Sequence, residues 1–436
     1  MSELRFRLTG PLSALPDPCA ALFDRASSSD VAIRQRTAAI IERVRTDGDG
    51  ALIALARELD GATLETIEVP RAELHNALDG LDPAVRAAME RAVRNIAAVH
   101  RTMLPRPIEF EVEAGVTVGR RADPLGTVGI YAPGGRAAYP SSVLMGAIPA
   151  RVAGVGSVIL CSPPSVGALP SAPVLAAAAL AGVDRVFAIG GAGAIAAMAF
   201  GTRSVPRVDR VVGPGNAYVA EAKLQLCGTV GIDAPAGPSE LLIIAGADAP
   251  VDVVAREAIA QAEHDPLAAV VIVAQGEPSA RSIAAALREA LPRAARTAIV
   301  NVSFTSRGAL LWCDRLEEAI PFVARYAPEH LLLVGADAEQ LLPAVRNAGT
   351  VFLGASSSVV FGDYITGANH VLPTGGAARA YSGLSTLDFV RWTTYQRVSP
   401  DAASRLAVDV ERFAAAEGLT GHAAAAAAWR TPALVT

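Results

Sequence analysis

The sequence predicts an α/β chain with two parallel-sheet domains, a helical N-terminal region and a small helical C-terminal tail. Two observations carry this. Apolar residues recur at helical spacing before about residue 100, and beyond it short β-branched runs alternate with Ala-rich stretches bounded by Gly and Pro. In residues 30–59 and 83–100 the apolar positions Ile33, Ala38, Ile41 and Val44, then Val85, Met89, Val93 and Ile96, mark amphipathic helices. The runs Val128-Gly129-Ile130, Ser157-Val158-Ile159-Leu160 and Arg185-Val186-Phe187-Ala188-Ile189 predict the strands of one sheet. Leu241-Leu242-Ile243-Ile244, Val270-Val271-Ile272-Val273, Thr297-Ala298-Ile299-Val300 and His330-Leu331-Leu332-Leu333-Val334 predict those of another. Helical patterns separate them, so strand–helix–strand units of the Rossmann-like kind follow. Roughly the last fifty residues, with the alanine run 423–428, read as mostly helical and hold too little apolar surface for a core of their own. They are expected to pack on another domain or another subunit.

The resulting division is an N-terminal arm at 1–27, a first α/β domain at 28–130 plus 241–383, a second at 131–240, and a C-terminal helical segment at 384–436. A chain of 436 residues has room for several cores. At 52% hydrophobic and 19% charged it is too apolar for disorder. The formal charge of −5 provides no basic surface for nucleic acid or an anionic membrane, which leaves a small molecule as the expected partner. The start MSELRFRLTG lacks the apolar core of a signal peptide, and Pro, Gly or charge breaks each apolar run before about 18 residues, so a cytoplasmic location is expected. Cys19, Cys161, Cys227 and Cys313 form no C-x-x-C pair and are expected to be reduced thiols.

Two Gly-rich loops are candidates for a dinucleotide. Gly191-Ala192-Gly193-Ala194-Ile195-Ala196 fits a loose G-x-G-x-x-A pattern, and Gly213-Pro214-Gly215-Asn216 is similar; each is compatible with pyrophosphate at a helix N-terminus or with a plain tight turn. The histidines say more. Of six, four (His264, His330, His370 and His422) stand in polar, Gly- or carboxylate-flanked segments of the C-terminal half. Gln261 and His264 are three apart on a predicted helix and project from one face, either as a solvated face or as two donors to one metal ion. Asp363 and His422, each beside a glycine, add a carboxylate and an imidazole; two His, one Asp and one Gln suit zinc better than magnesium or calcium. Glu329 and His330 are adjacent, so on a regular element they point apart and act as two groups. A carboxylate can activate water and an imidazole can take a proton from an alcohol as hydride departs; the plainer alternative is a helix-terminal acid beside a half-buried His.

Several segments occur together and in order: Val128-Gly129-Ile130-Tyr131-Ala132-Pro133-Gly134-Gly135 with Tyr139-Pro140-Ser141-Ser142-Val143-Leu144-Met145, Val212-Gly213-Pro214-Gly215-Asn216, QAEHDP from Gln261, Ala327-Pro328-Glu329-His330, Gly362-Asp363-Tyr364 through Asn369-His370-Val371-Leu372-Pro373-Thr374, and Glu417-Gly418-Leu419 with His422. From about residue 28 onward the chain resembles the histidinol dehydrogenase family. The resemblance implies a zinc site of Gln261, His264, Asp363 and His422. It implies substrate contacts from Ser239, His330, His370 and Glu417 besides those ligands, and acid–base roles for Glu329 and His330. It further implies NAD contacts from Tyr131 and Asn216 on the 131–240 domain, with most zinc and catalytic residues on the other. L-histidinol would be oxidised to L-histidine through the aldehyde, with two NAD and one water. The family is an intertwined homodimer, so Glu417 and His422 would complete the neighbour's site. One departure stands out: Gly193 occupies a position where the pattern has a Gln that touches the cofactor, and a lost amide contact is worth about 0.5–1.5 kcal/mol. Three other functions compete: a relative acting on a different small hydroxylated metabolite or diol, a zinc hydrolase with Glu329 activating water, and a non-catalytic metabolite-binding protein. NADH production separates a dehydrogenase from the last two.

Overall fold

The computed structural model describes residues 4–15, 20–25, 31–134, 138–165 and 168–430, so Cys19, Asp30 and Gly135 lie outside the described residues. Two compact units divide the chain, Met1–Met103 with Leu125–Phe389 and Leu104–Pro124 with Val390–Thr436.

The larger unit holds two six-stranded sheets. One runs in the order Leu8–Pro11, Ala309–Cys313, Ala269–Gln275, Glu240–Ala245, His330–Val334, Thr350–Leu353, parallel throughout. Leu241 through Ala245 and Val270 through Ala274 are fully buried, as strands covered on both faces must be, and a separate hydrophobic core fills each face. The other runs in the order Glu68–Val69, Arg185–Ala188, Ser157–Ser162, Thr127–Tyr131, Arg210–Val212, Gly231–Ile232, antiparallel only at Glu68–Val69. In each sheet the chain adds strands to one side and then reverses. The reversal falls between Glu240–Ala245 and His330–Val334 in the first sheet, and between Thr127–Tyr131 and Arg210–Val212 in the second.

The sheets divide the chain differently from the expected 28–130 plus 241–383. Thr127–Tyr131 is an inner strand of the second sheet and Glu68–Val69 its edge, while the helices Val31–Asp47 and Asp49–Leu55 pack on Gly191–Phe200 of that same layer. The small residues of Gly191–Phe200 permit this close approach, with Val44, Leu52 and Leu55 gathered over Gly193. The expected arm also contributes structure, since Leu8–Pro11 is the edge strand of the first sheet. Residues 297–300, expected as a strand, open the helix Thr297–Arg307, whose Val300 and Phe304 lie four apart on its buried face. The strand of that region is Ala309–Cys313.

The smaller unit carries an antiparallel sheet, Val390–Val398 against Val116–Pro124 against Ile108–Glu113. The C-terminal segment, expected to be helical, therefore opens with a nine-residue strand. It continues as the helices Pro400–Ala416, capped by the Ser399 hydroxyl accepting from Ala402 N, and Thr420–Ala427. Among the described residues no helix is long and apolar enough to cross a membrane.

Candidate active site

The chemistry-bearing side chains of the larger unit gather at the amino edge of the first sheet. Glu329 immediately precedes the strand His330–Val334, and Glu240 begins the neighbouring strand. Helices of the layer run back toward this edge, so residues at their C-terminal ends arrive there. Gln261 is the penultimate residue of Val251–Ala262, and Asp363 that of Val359–Tyr364. The helix expected to carry both Gln261 and His264 stops at Ala262, and His264 follows in the turn with its amide donating to the Gln261 carbonyl at 3.4 Å.

Glu329 and His330 converge instead of diverging, because Glu329 lies outside the strand. Its Oε2 accepts from the Glu240 amide at 2.6 Å and stands 3.4 Å from His330 Nδ1. The His330 Nδ1–H donates to the Glu240 carbonyl at 3.0 Å, which directs Nε2 toward Asp363 Oδ1 at 3.7 Å. Both side chains are buried. Burial by itself lowers the imidazole's pKa, but Glu329, then Asp363 and the Glu240 carbonyl, outweigh it and push His330 up to about 9. Burial likewise raises the Glu329 carboxyl, against the pull of His330 and the Glu240 amide. Gly349 makes room for this segment: a Cβ there would stand 2.6 Å from the Glu329 carbonyl oxygen.

Asp363 acts electrostatically on three imidazoles, those of His264, His330 and His370. Its carbonyl accepts from His370 Nδ1–H at 2.9 Å, fixing that ring as well. Desolvation outweighs Asp363 at His264 and at His370 and holds both imidazoles below their ordinary value. His264 is nonetheless exposed to solvent in the single chain, so its partial desolvation comes from the surrounding protein. Gln261 is buried, and its Nε2 has no hydrogen-bond partner among the described residues. Ser239 precedes Glu240 at the same edge, half-buried, its carbonyl accepting from Ala269 N. Glu417, at the end of Pro400–Ala416, and His422, on Thr420–Ala427, are carried by the smaller unit with exposed side chains. Among the described residues no three of His, Cys, Asp or Glu form a metal-holding group.

The second sheet presents its carboxyl edge at the strand reversal, where parallel sheets hold nucleotides. Tyr131 ends one bordering strand and Gly213 follows the other. Tyr131 is buried, its hydroxyl accepting from Gly191 N at 3.1 Å, and burial pushes that hydroxyl up to about 12. Gly213 has φ of 120°, and a Cβ there would stand 2.1 Å from the Tyr131 carbonyl oxygen. Asn216 caps the helix Ala217–Leu226, its Oδ1 accepting from the amides of Tyr218 and Val219. The sequence reading missed the brace behind this loop. Asp233 Oδ2 accepts from Gly213 N at 2.7 Å, and Lys223 donates to Gly213 O at 2.9 Å while pairing with Asp233, both charges buried. It also missed Glu240 and Arg25, although a charged residue opening an otherwise apolar strand was visible. Gly193 does not face this edge: a Cβ there would meet Leu55 at 3.1 Å and Leu52 at 3.5 Å.

The family model described as histidinol dehydrogenase matches residues 23–430. The histidinol dehydrogenase of Natronomonas pharaonis is 47% identical over 409 residues, covering 94% of this chain and 96% of the relative. That of Methanothermobacter thermautotrophicus is 44% identical over 385 residues, covering 88% and 90%. The crystal structure of histidinol dehydrogenase from Elizabethkingia anophelis matches with a TM-score of 0.93 at 32% identity over 99% of both chains. With a family model and relatives that span nearly its whole length, the chain belongs to the histidinol dehydrogenase family of NAD-dependent oxidoreductases.

Proposed function

We propose that the protein is a zinc-dependent, cytoplasmic enzyme that oxidises L-histidinol to L-histidine through L-histidinaldehyde, consuming two NAD and one water. The observation that supports this best is the convergence of Glu329 and His330 on the main chain of one residue, Glu240, beside the Asp363 carboxylate and two further imidazoles.

The donor set fits zinc. Gln261 brings a buried amide with one end unpartnered among the described residues and the oxygen as the atom that would ligate, His264 an imidazole held below its ordinary pKa and so available as a neutral ligand, and Asp363 a carboxylate aimed among imidazoles. His422 is the fourth ligand, supplied by the neighbouring subunit of a homodimer together with Glu417. That assignment agrees with the exposure of both residues in the single chain. Bound there, zinc would orient the substrate's imidazole and amine and neutralise charge near the reacting carbon.

The protein's own residues then account for the proton transfers. His330 Nδ1 carries its proton toward the Glu240 carbonyl, so in the neutral imidazole, the form whose share grows as pH rises toward its raised pKa, Nε2 is the atom that takes the hydroxyl proton as hydride leaves the alcohol carbon for the first NAD. Glu329 accepts a proton from water as it adds to the aldehyde. Once His330 has passed the first proton to solvent, it takes the hydrate's hydroxyl proton as the second NAD receives hydride, releasing the carboxylate. Ser239, His370 and Glu417 hold the polar ends of the substrate. NAD lies along the Gly213–Asn216 loop with contacts from Tyr131 and Asn216, at the strand reversal that suits a dinucleotide.

Purified protein supplied with zinc, histidinol and NAD is expected to form two NADH per histidinol consumed, and a strong chelator to stop it. No NADH would remove the reading in favour of a hydrolase or a binding protein. Glu329→Gln is expected to slow oxidation of the aldehyde more than that of the alcohol; equal loss in the two half-reactions would remove Glu329 as the water activator.

A further inference from the structure

Glu240 takes no part in the chemistry above, yet its carboxylate is 1% exposed at the start of an inner strand. Oε1 accepts from Arg25 Nε at 2.7 Å and from Gly375 N at 2.8 Å, while Oε2 has no partner among the described residues. Arg25 is equally buried. It also donates to the Leu22 carbonyl at 3.1 Å and to the Tyr326 carbonyl at 2.6 Å, with its guanidinium 3.5 Å over the Tyr326 ring. Burying two charges costs several kcal/mol that their attraction rarely exceeds, so such a pair is poor support for stability as such.

Its geometry gives it another role. Tyr326 ends the helix Ala319–Tyr326; Ala327 follows with φ of 48°, a left-handed conformation that an alanine holds only under constraint, and Glu329 comes two residues later. Arg25 therefore grips the peptide that leads into Glu329 and, through its side chain, the residue Glu240, whose N–H holds Glu329 Oε2 and whose carbonyl holds His330 Nδ1. The chain of contacts closes on itself: Arg25 to Glu240 to Glu329 and back along the main chain to Tyr326. We propose that the Arg25–Glu240 pair is a positioning device that sets the orientation of Glu329 and His330. This rests on the acid–base roles given to those two residues above.

The test is a double-mutant cycle. Arg25→Lys keeps the charge, but an ammonium cannot reach the Glu240 carboxylate and two carbonyls in the fixed fork of a guanidinium. It is expected to lower kcat for aldehyde oxidation about tenfold or more, since misplacement by about 1 Å can cost on the order of a hundredfold, with KM for histidinol changed by less than about threefold. In a Glu329→Gln background the same substitution should lower kcat for aldehyde oxidation by a clearly smaller factor than in the wild type, because one of the two groups it orients is already gone and only the His330 share of the loss is left. Zinc content and thermal unfolding are followed alongside. Additive losses, an unchanged kcat in folded Arg25→Lys, or losses that follow zinc content would overturn the proposal. If Arg25→Lys does not accumulate, Glu240→Gln, which keeps the acceptor for Gly375 and removes the charge facing Arg25, goes through the same cycle. A Glu329→Gln enzyme with undiminished aldehyde oxidation would instead sink the role of Glu329, and the cycle would then be read on His330→Asn. If neither variant slows either step, the positioning role falls with the acid–base reading.

Discussion

Acidification from about pH 8 to about pH 5 is expected to cost the larger unit roughly 2 kcal/mol through a single residue, His100. It lies near the end of the helix Pro83–Thr102, 1% exposed, with neither ring nitrogen partnered among the described residues. Burial, the sole cause, lowers its pKa from 6.5 to about 4. Between those values the unfolded chain binds a proton that the folded chain refuses, so stability falls as pH falls through the window and is unaffected above it. The loss is about 2 kcal/mol at pH 5 and approaches about 3 below pH 4. Urea unfolding of the wild type and of His100→Leu at both pH values isolates the term, because every other titrating group is common to the two proteins. The variant should lose about 2 kcal/mol less than the wild type on acidification. Equal losses would refute the argument and mean that the imidazole is protonated where it sits.

Three substitutions test the second sheet's carboxyl edge. Gly213→Ala sets a methyl 2.1 Å from the Tyr131 carbonyl at φ of 120°, and should cost at least about 2–3 kcal/mol and raise KM for NAD; a stable variant with an unchanged KM would remove the loop from the cofactor site. Lys223→Met strands the buried Asp233 and is expected to destabilise by roughly 3–5 kcal/mol, read as a lower Tm; little change in Tm would show that the pair is not held dry. Gly193→Gln, which restores the family pattern, should overpack the space over Leu55 and Leu52 at a cost of about 1–3 kcal/mol without tightening NAD. A lower Kd with an unchanged Tm would mean that the helices covering Gly193 move aside.

The parts legible in the sequence were those where one residue property decides the outcome. Leu241-Leu242-Ile243-Ile244 and Val270-Val271-Ile272-Val273 are buried on both faces, and a continuous apolar run has no other stable arrangement in an α/β chain. Thr297-Ala298-Ile299-Val300 looked the same over four residues, but the next two turns place Phe304 four after Val300 and settle the segment as a helix. The strand Ile108–Glu113 was missed although Ile108, Phe110 and Val112 alternate with acids, because its apolar side chains are exposed and add nothing to the core of the chain. In the site, Glu329 and His330 could be picked out as chemical groups, but their convergence could not, since it depends on the main chain of Glu240, some ninety residues away. Glu240 and Arg25 were hidden for the same reason: a buried ion pair linking residues 215 apart leaves no periodic trace.

The two sheets use opposite edges, and the reversal in strand order explains only one of them. In the second sheet the gap between diverging loops opens at the carboxyl edge, bordered by Tyr131 and Gly213, as expected for a dinucleotide. At the corresponding place in the first sheet, Asp248 accepts from Ala336 N at 3.2 Å, Gly246 N donates to the Val334 carbonyl at 2.8 Å, and Gln275 Oε1 accepts from Ala247 N at 3.1 Å. The donors a ligand would use there are already engaged. The amino edge of that sheet offers what acid–base chemistry needs instead: the first residue of an inner strand, whose N–H and carbonyl are both within reach of side chains. Glu240 commits them to Glu329 and His330, so two side chains with different tasks share one rigid reference point. On the function proposed above, hydride leaves the carbinol carbon and the proton leaves its oxygen, so two acceptors are needed, and one sheet supplying a carboxyl edge while the other supplies an amino edge provides for each with two copies of the same strand–helix plan.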